Sequence, residues 1–147
     1  MAISPASAAV TSFAVTNQGM TAYLFNGGAP NPTLTLVRGN TYNFVVNAPG
    51  HPFNITTAPG IPVQPFVDPG LTGNGASSGT VVFTVPATGT SSLFYQCGVH
   101  TAMTGAINLV ATAPAPALGP VGIAILAALI LSAGVMAMRF IRGQAAA

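Results

Sequence analysis

The chain has 147 residues, of which 50% are hydrophobic and only 3% are charged, so it fits one ordinary domain plus a short extra element. Three arginines and one aspartate carry all the formal charge, which excludes a basic nucleic-acid surface and a charged disordered tail. One cysteine and two histidines exclude a disulfide framework, any site that needs two thiolates, and the multicopper oxidases, whose clusters need many more histidines.

The N-terminal segment, residues 1–9 (MAISPASAA), consists mainly of small residues. It has no basic start and no apolar run long enough for the core of a signal peptide. Three explanations stay open: the leader has been removed, the true start lies upstream, or export proceeds differently. We favour a missing or processed leader, because the features described below place the domain outside the cytoplasm.

Residues 10–111 are typical of short β-strands separated by turns. The segments are rich in Val, Thr, Tyr and Phe, and clusters of Asn, Gly and Pro stand between most of them. Several alternate polar with apolar residues, as half-buried strands do. About eight strands in a hundred residues predict an all-β, two-sheet sandwich. The predicted strands cover residues 10–15, 21–25, 33–37, 41–47, 53–57, 80–85, 92–96 and 105–110.

One long segment, residues 58–79, interrupts this pattern with four prolines and five glycines. A loop of this length without secondary structure is uncommon in a compact domain. We therefore expect either a functional flap beside a site or a surface that binds a partner. Asp68, the only acidic residue, precedes Pro69 and is interpreted as a turn former.

The C-terminal part of the chain predicts a membrane anchor. Residues 112–120 (TAPAPALGP) form a Pro/Ala linker that should be extended and semi-rigid. Residues 121–138 are uncharged and apolar, and with the residues just before them they approach the roughly 20 needed to cross a bilayer as a helix. Arg139 and Arg142 follow this span, so the positive-inside rule predicts a cytoplasmic tail at 139–147 and an extracytoplasmic (periplasmic or lumenal) sandwich.

The segment 94–105 (FYQCGVHTAMTG) carries the chemistry. It predicts a strand, a tight loop and a second strand, and the loop gathers Cys97, His100 and Met103 within seven residues. Soft sulfur ligands with imidazole select copper, and a His₂Cys set with a weak methionine is the type 1 electron-transfer arrangement. A closed zinc site uses similar nitrogen and thiolate donors but rarely methionine. The second imidazole must come from His51, the only other histidine, which follows a turn at the start of a predicted strand.

These residues resemble the cupredoxins, the small blue-copper proteins, over about residues 10–111. The specific part of the resemblance lies in Gly50–Phe53 and in 95–105, where Cys-x-x-His-x-x-Met matches a short ligand loop of the family. The resemblance implies a Greek-key β-sandwich that binds one copper ion. It also implies that His51, Cys97 and His100 form a trigonal plane, with Met103 as the axial ligand and the Gly50 carbonyl approaching from the other side.

One position departs from the family. Many members have Asn or Ser after the first histidine, and the backbone N–H of that residue donates to the cysteine sulfur. Here the position is Pro52, which has no N–H. Because hydrogen bonding to the cysteine sulfur tunes the copper site, we predict a reduction potential on the high side for the class.

A copper ion occupied by protein ligands leaves no position for a small-molecule substrate, so the sequence predicts an outer-sphere electron carrier and not an enzyme. The near absence of charge excludes electrostatic steering of a partner. We expect apolar docking around His100, or tethering within a membrane redox complex at high effective concentration. The low charge has three open explanations: acidic surroundings, coverage by partner subunits, and neutral drift of the sequence. Two alternative functions also stay open: a copper-handling protein and a structural accessory subunit of a membrane complex.

Overall fold

The computed structural model describes residues 9–112, which form nine β-strands. No helix occurs in this range, so the prediction of an all-β sandwich is confirmed. The strands are β1 (Val10–Gln18), β2 (Ala22–Phe25), β3 (Leu34–Val37), β4 (Thr41–Asn47), β5 (Phe53–Thr56), β6 (Leu71–Thr72), β7 (Ser78–Thr84), β8 (Ser92–Cys97) and β9 (Thr104–Val110).

The strands form two sheets. The first has the order β2-β1-β4-β7-β6, and the second has the order β3-β9-β8-β5. Two pairs are parallel, β1 with β4 and β3 with β9, and the other pairs are antiparallel. The second sheet matters most for function, because it places the start of β5 directly beside the end of β8, where Phe53 pairs with Cys97.

The core lies between the sheets and follows the alternation of the strands. On β4, Tyr42, Phe44 and Val46 are buried while the residues between them are partly or fully exposed. Aromatic rings fill the space towards β5: Tyr23 and Phe53 lie 5.2 Å apart between ring centroids, and Phe44 and Phe53 lie 5.4 Å apart. Such pairs contribute about 0.5–1.5 kcal/mol each beyond the burial of their area. The strand that follows His51 therefore rests on a rigid aromatic layer.

Tyr95 occupies a space that a glycine leaves open. Tyr95 on β8 pairs with Gly105 on β9, and a Cβ atom added to Gly105 would overlap the tyrosine ring. The ring is fully buried, and its hydroxyl donates to the Pro32 carbonyl at 2.7 Å. Burial raises the pKa of the Tyr95 hydroxyl far above its usual value. Gly105 is thus required for close packing of a side chain two residues before Cys97.

The segment 58–79 differs from the prediction, because it is not without structure. Its two-residue strand β6 pairs with β7, so the sandwich has nine strands and not eight. Farther along β5, Pro65 forms a bridge with Thr56, and the side chain of Asn74 exchanges hydrogen bonds with the backbone of Ile55. A strand of two residues is too short to produce a periodic pattern, which is why the sequence did not predict it.

The prediction for β4 was correct at both ends, and the other strand predictions were correct in place but differ by one to three residues at one or both ends. β1 runs to Gln18 because residues 15–18 pair with β2, a contact that no local pattern encodes. Asp68 does form a turn: its carboxylate accepts the Gly70 N–H at 2.8 Å. No helix among residues 9–112 is long and apolar enough to cross a membrane. The predicted linker beyond Thr112, the membrane-spanning helix at 121–138, the tail at 139–147 and residues 1–8 lie outside the described residues.

Candidate metal centre

The two strands β5 and β8 bring the predicted ligands to one end of the sandwich. His51 lies just before β5 and Cys97 is the last residue of β8. The loop after Cys97 carries His100, and it closes where the Cys97 N–H donates to the Met103 carbonyl at 2.9 Å. The spacing of the motif and the pairing of the strands therefore act together to gather residues that are 46 positions apart.

A tight turn sets the position of His51. The His51 N–H donates to the Ala48 carbonyl at 2.9 Å, and Gly50 has a φ of 78°. Proline at the second position of a turn and a residue with positive φ at the third are the features of a type II turn, which favours glycine at the third position. Pro49 and Gly50 thus explain why the chain reverses immediately before the histidine. The predicted approach of the Gly50 carbonyl to a metal stays a prediction.

Three donor atoms converge at this end. One ligand atom from each of His51, Cys97 and His100 lies within 4.8 Å of the others. The Cys97 Sγ is 3.9 Å from the His51 Nδ1 and 3.7 Å from the His100 Nδ1. Metal–imidazole and metal–thiolate bonds of about 2.0 and 2.3 Å meeting at about 120° would separate sulfur and nitrogen by about 3.7 Å. The spacing of the donors therefore fits one metal ion held between them.

The three donor residues differ in how far they are exposed to solvent. Cys97 is fully buried, His51 is 8% exposed, and His100 is only partly buried. Met103 is fully buried at the end of the same loop, and its N–H donates to the His100 carbonyl at 3.3 Å. One thiolate and two imidazoles in a site sheltered from water are consistent with a single type 1 copper ion. The role of Met103 as a fourth ligand stays a prediction.

The sequence did not identify Tyr23, which binds the backbone of His51. Its hydroxyl donates to the His51 carbonyl at 2.8 Å, and its side chain is fully buried. Burial raises the pKa of the Tyr23 hydroxyl, and the neighbouring Cys97 sulfur raises this pKa further. In the sequence Tyr23 looks like any core aromatic of a strand, so no local signal could have identified it.

Further hydrogen bonds join the two ligand-bearing segments to each other and to their neighbours. The Gly98 N–H donates to the Pro52 carbonyl at 2.8 Å, which links the residue after Cys97 to the residue after His51. The side-chain amide of Asn31 donates to the carbonyls of Ala102 at 2.9 Å and Thr21 at 3.1 Å. The ligand loop, residues 97–103, is therefore held on one side by a backbone hydrogen bond to Pro52 and on the other by the side chain of Asn31. The sequence could have placed neither contact.

The exposed residues of the ligand loop beside His100 are uncharged. Val99 is 55% exposed, and Ala102 is exposed beside it. Arg38, the only arginine among residues 9–112, which contain no lysine, donates to the carbonyls of Pro86, Gly89 and Thr90, before the opposite end of β8. A strand rises by about 3.3 Å per residue, so the length of β8 places the Arg38 guanidinium roughly 20 Å from Cys97. Within the ligand loop, the partly exposed imidazole therefore has only neutral neighbours.

No protein-family model matches this sequence. No curated protein matches it either. Among solved structures, the chain is similar to the copper protein rusticyanin, with 22% identity, a TM-score of 0.51 and coverage of 71% of this chain and 80% of that chain. Reduced rusticyanin gives 22% identity, a TM-score of 0.51 and coverage of 71% and 82%. A methionine-to-leucine variant of rusticyanin gives 21% identity, a TM-score of 0.52 and coverage of 71% of this chain and 79% of that chain. The chain thus has the all-β sandwich fold of rusticyanin, a cupredoxin.

Proposed function

We propose that this chain is a type 1 copper protein that transfers single electrons. The observation that carries the proposal is the convergence of one cysteine sulfur and two histidine nitrogens within 4.8 Å of one another. Copper is preferred over other divalent first-row ions at nitrogen and sulfur sites, and soft sulfur ligands favour Cu(I). A bound copper ion would supply the Cu(II)/Cu(I) couple.

The residues around the donors suit electron transfer because they resist rearrangement. His51 is fixed through the Tyr23 hydroxyl and its own turn, and the ligand loop is fixed through Asn31 and Pro52. A site whose ligands are held by packing and hydrogen bonds moves little when its charge changes. The partly exposed His100 would bring the ring edge of a ligand to the surface, where a redox partner can approach.

We further propose that Met103 is the axial ligand, which completes a site without an open position for substrate. Its full burial at the base of the loop and its thioether chemistry support this role. The protein would then act as an electron carrier, or as an electron-transfer subunit of a larger complex, and would not bind a small-molecule substrate.

We also propose that the copper domain is tethered to a membrane on its extracytoplasmic side. The apolar run at 121–138, followed by Arg139 and Arg142, supports this placement. Formal charges of the described domain are limited to Arg38 and Asp68, so a partner cannot be steered by charge. A membrane-bound redox complex close to the bilayer is therefore the partner that we propose.

Copper titration of the metal-free, full-length chain tests the metal site. We expect an intense blue thiolate-to-copper band that saturates at one copper per chain and bleaches on reduction. Cys97→Ser should abolish the band, and Met103→Leu should keep it with a changed reduction potential. Copper bound as Cu(I) without a blue band would indicate a copper-handling protein. No copper binding at all would indicate a structural subunit.

Membrane fractionation tests the anchor separately. The full-length chain should sediment with membranes and resist extraction at alkaline pH. Protease added from the extracytoplasmic side should reach the domain, and purification from native membranes should retain a redox partner. Complete extraction as a water-soluble chain would contradict the anchor without affecting the copper proposal.

A further inference from the structure

Gln96 is a polar residue that lies completely out of contact with solvent. It precedes Cys97 on β8, so the alternation of the strand turns its side chain to the face opposite Cys97. A glutamine there would ordinarily face water. In this structure the segment after β5 covers it, and the Gly60 N–H donates to its Oε1 at 3.0 Å.

The amide of Gln96 donates to the backbone of the ligand loop. Its Nε2 lies 3.0 Å from the Cys97 carbonyl, 3.0 Å from the His100 carbonyl and 3.5 Å from the Met103 carbonyl. The two short contacts use both hydrogens of the amide, and the third is longer and weaker. Carbonyls surround the nitrogen and an N–H faces the oxygen, so the orientation of the amide follows from its partners.

The three carbonyls belong to the three ligand-loop residues that we propose to contact copper: Cys97, His100 and Met103. One side chain thus fixes the start, the middle and the end of the loop. The hydrogen bond from Gly60 and complete burial fix the position of the Gln96 side chain. The ligand loop is therefore anchored to β8 through this side chain and not through solvent. Loss of the amide would remove a donor from each of these three carbonyls. The Met103 and His100 carbonyls would keep only the N–H groups of Cys97 and Met103, at 2.9 and 3.3 Å, so the loop would be held less firmly.

We infer that Gln96 is a positioning residue for the metal site, an inference that rests on the proposed copper function of that site. Gln96 does not touch the metal. It acts through the loop backbone, by holding His100 and Met103 at fixed distances from Cys97. Its effect is therefore on the geometry of the site and on how tightly the site binds copper.

The test compares Gln96→Met with a matched control, Thr56→Val, in the full-length chain. Methionine is close in length to glutamine and cannot donate a hydrogen bond. Thr56 is also fully buried, lies on the neighbouring strand β5, and donates to Ala58 in the same covering segment. Its hydroxyl bonds only to the carbonyls of Ala58 and Phe94, neither of which belongs to the ligand loop, so Thr56→Val reports the general cost of removing a buried polar group near Gln96.

The first readout needs no metal. Amide hydrogen exchange in the metal-free chain should be at least tenfold faster at Met103 and Cys97 in Gln96→Met, relative to core amides of β4. Thr56→Val should leave this ratio unchanged. Equal exchange in Gln96→Met and the wild-type chain would overturn the inference, whether or not the chain binds copper.

The second readout uses the copper-loaded chain. Gln96→Met should shift the thiolate-to-copper band and the electron paramagnetic resonance spectrum, and should weaken copper binding at least tenfold. Thr56→Val should reproduce the wild-type spectra. If Gln96→Met does not fold, Gln96→Asn retains the amide on a shorter side chain and should show smaller shifts of the same kind. Unchanged spectra and affinity in a folded variant would overturn the inference, whereas a wild-type chain that takes no copper would overturn the proposed function instead.

Discussion

Replacing Tyr23 with phenylalanine removes the hydroxyl that donates to the His51 carbonyl and changes little else. The ring stays in its fully buried position against Phe53, so no cavity of consequence forms. What is lost is the 2.8 Å hydrogen bond to the His51 carbonyl. We expect lower stability of the fold and, because His51 is then less firmly held, weaker binding of copper.

The size of the stability loss follows from this one contact. Removing one partner of a buried hydrogen bond costs about 1–3 kcal/mol, since the remaining group is left desolvated without a partner. For a domain of about 100 residues, each kcal/mol lowers the midpoint of thermal unfolding by about 4 °C or more. A small domain usually has about 5–15 kcal/mol of stability, so Tyr23→Phe should still fold.

Tyr42→Phe provides the matched control. Tyr42 is also buried, and its hydroxyl accepts the Val37 N–H at 2.9 Å, close to Arg38 and away from the ligand loop. Chemical unfolding of the metal-free, full-length chain should show a similar loss for both variants. Copper affinity should fall only for Tyr23→Phe. A loss below about 0.5 kcal/mol, or equal effects of both variants on copper affinity, would show that Tyr23 does not secure His51.

Three further predictions follow from the same structure. Pro52→Ala supplies the backbone N–H that many cupredoxins direct at the cysteine sulfur; one such bond of about 1 kcal/mol should shift the one-electron reduction potential by about 40 mV, and spectroelectrochemistry showing no shift would contradict this. Gly105→Ala places a Cβ where the Tyr95 ring lies, so urea unfolding should show a loss of about 1–3 kcal/mol, and wild-type stability would contradict the overlap. Burial raises the folded-state pKa of Tyr95 above the unfolded value of about 10, so at high pH only the unfolded chain releases the proton. The contribution of Tyr95 to the free energy of unfolding is therefore complete below about pH 10 and is lost as the pH rises. The decline should reach about 1.4 kcal/mol per pH unit for this tyrosine, and an unchanged pH dependence in Tyr95→Phe would contradict it.

Charge has little part in holding this domain together. Its single carboxylate, Asp68, serves a turn, and its single guanidinium, Arg38, binds backbone carbonyls. Stability within residues 9–112 comes instead from buried aromatic and aliphatic side chains and from satisfied hydrogen bonds, since every buried side-chain nitrogen and oxygen in this range has a partner.

The sequence by itself determined the features that depend on short-range pattern and on chemistry. Alternating strands with Asn, Gly and Pro turns predicted the sandwich, because a half-buried strand imposes a period of two. The spacing of Cys97 and His100 predicted their proximity, because a tight loop between two strands brings such residues together. His51 followed by elimination, since no other histidine exists.

Only the tertiary structure decided how the centre is held. The pairing of β5 with β8 sets His51 beside Cys97, and the contacts of Tyr23 and Gln96 depend on segments 28 and 36 residues away in the chain. A buried tyrosine and a strand glutamine have no local signature that distinguishes a core residue from a support of the site. Their roles arise from hydrogen bonds between distant segments, which form only when the sheets pack.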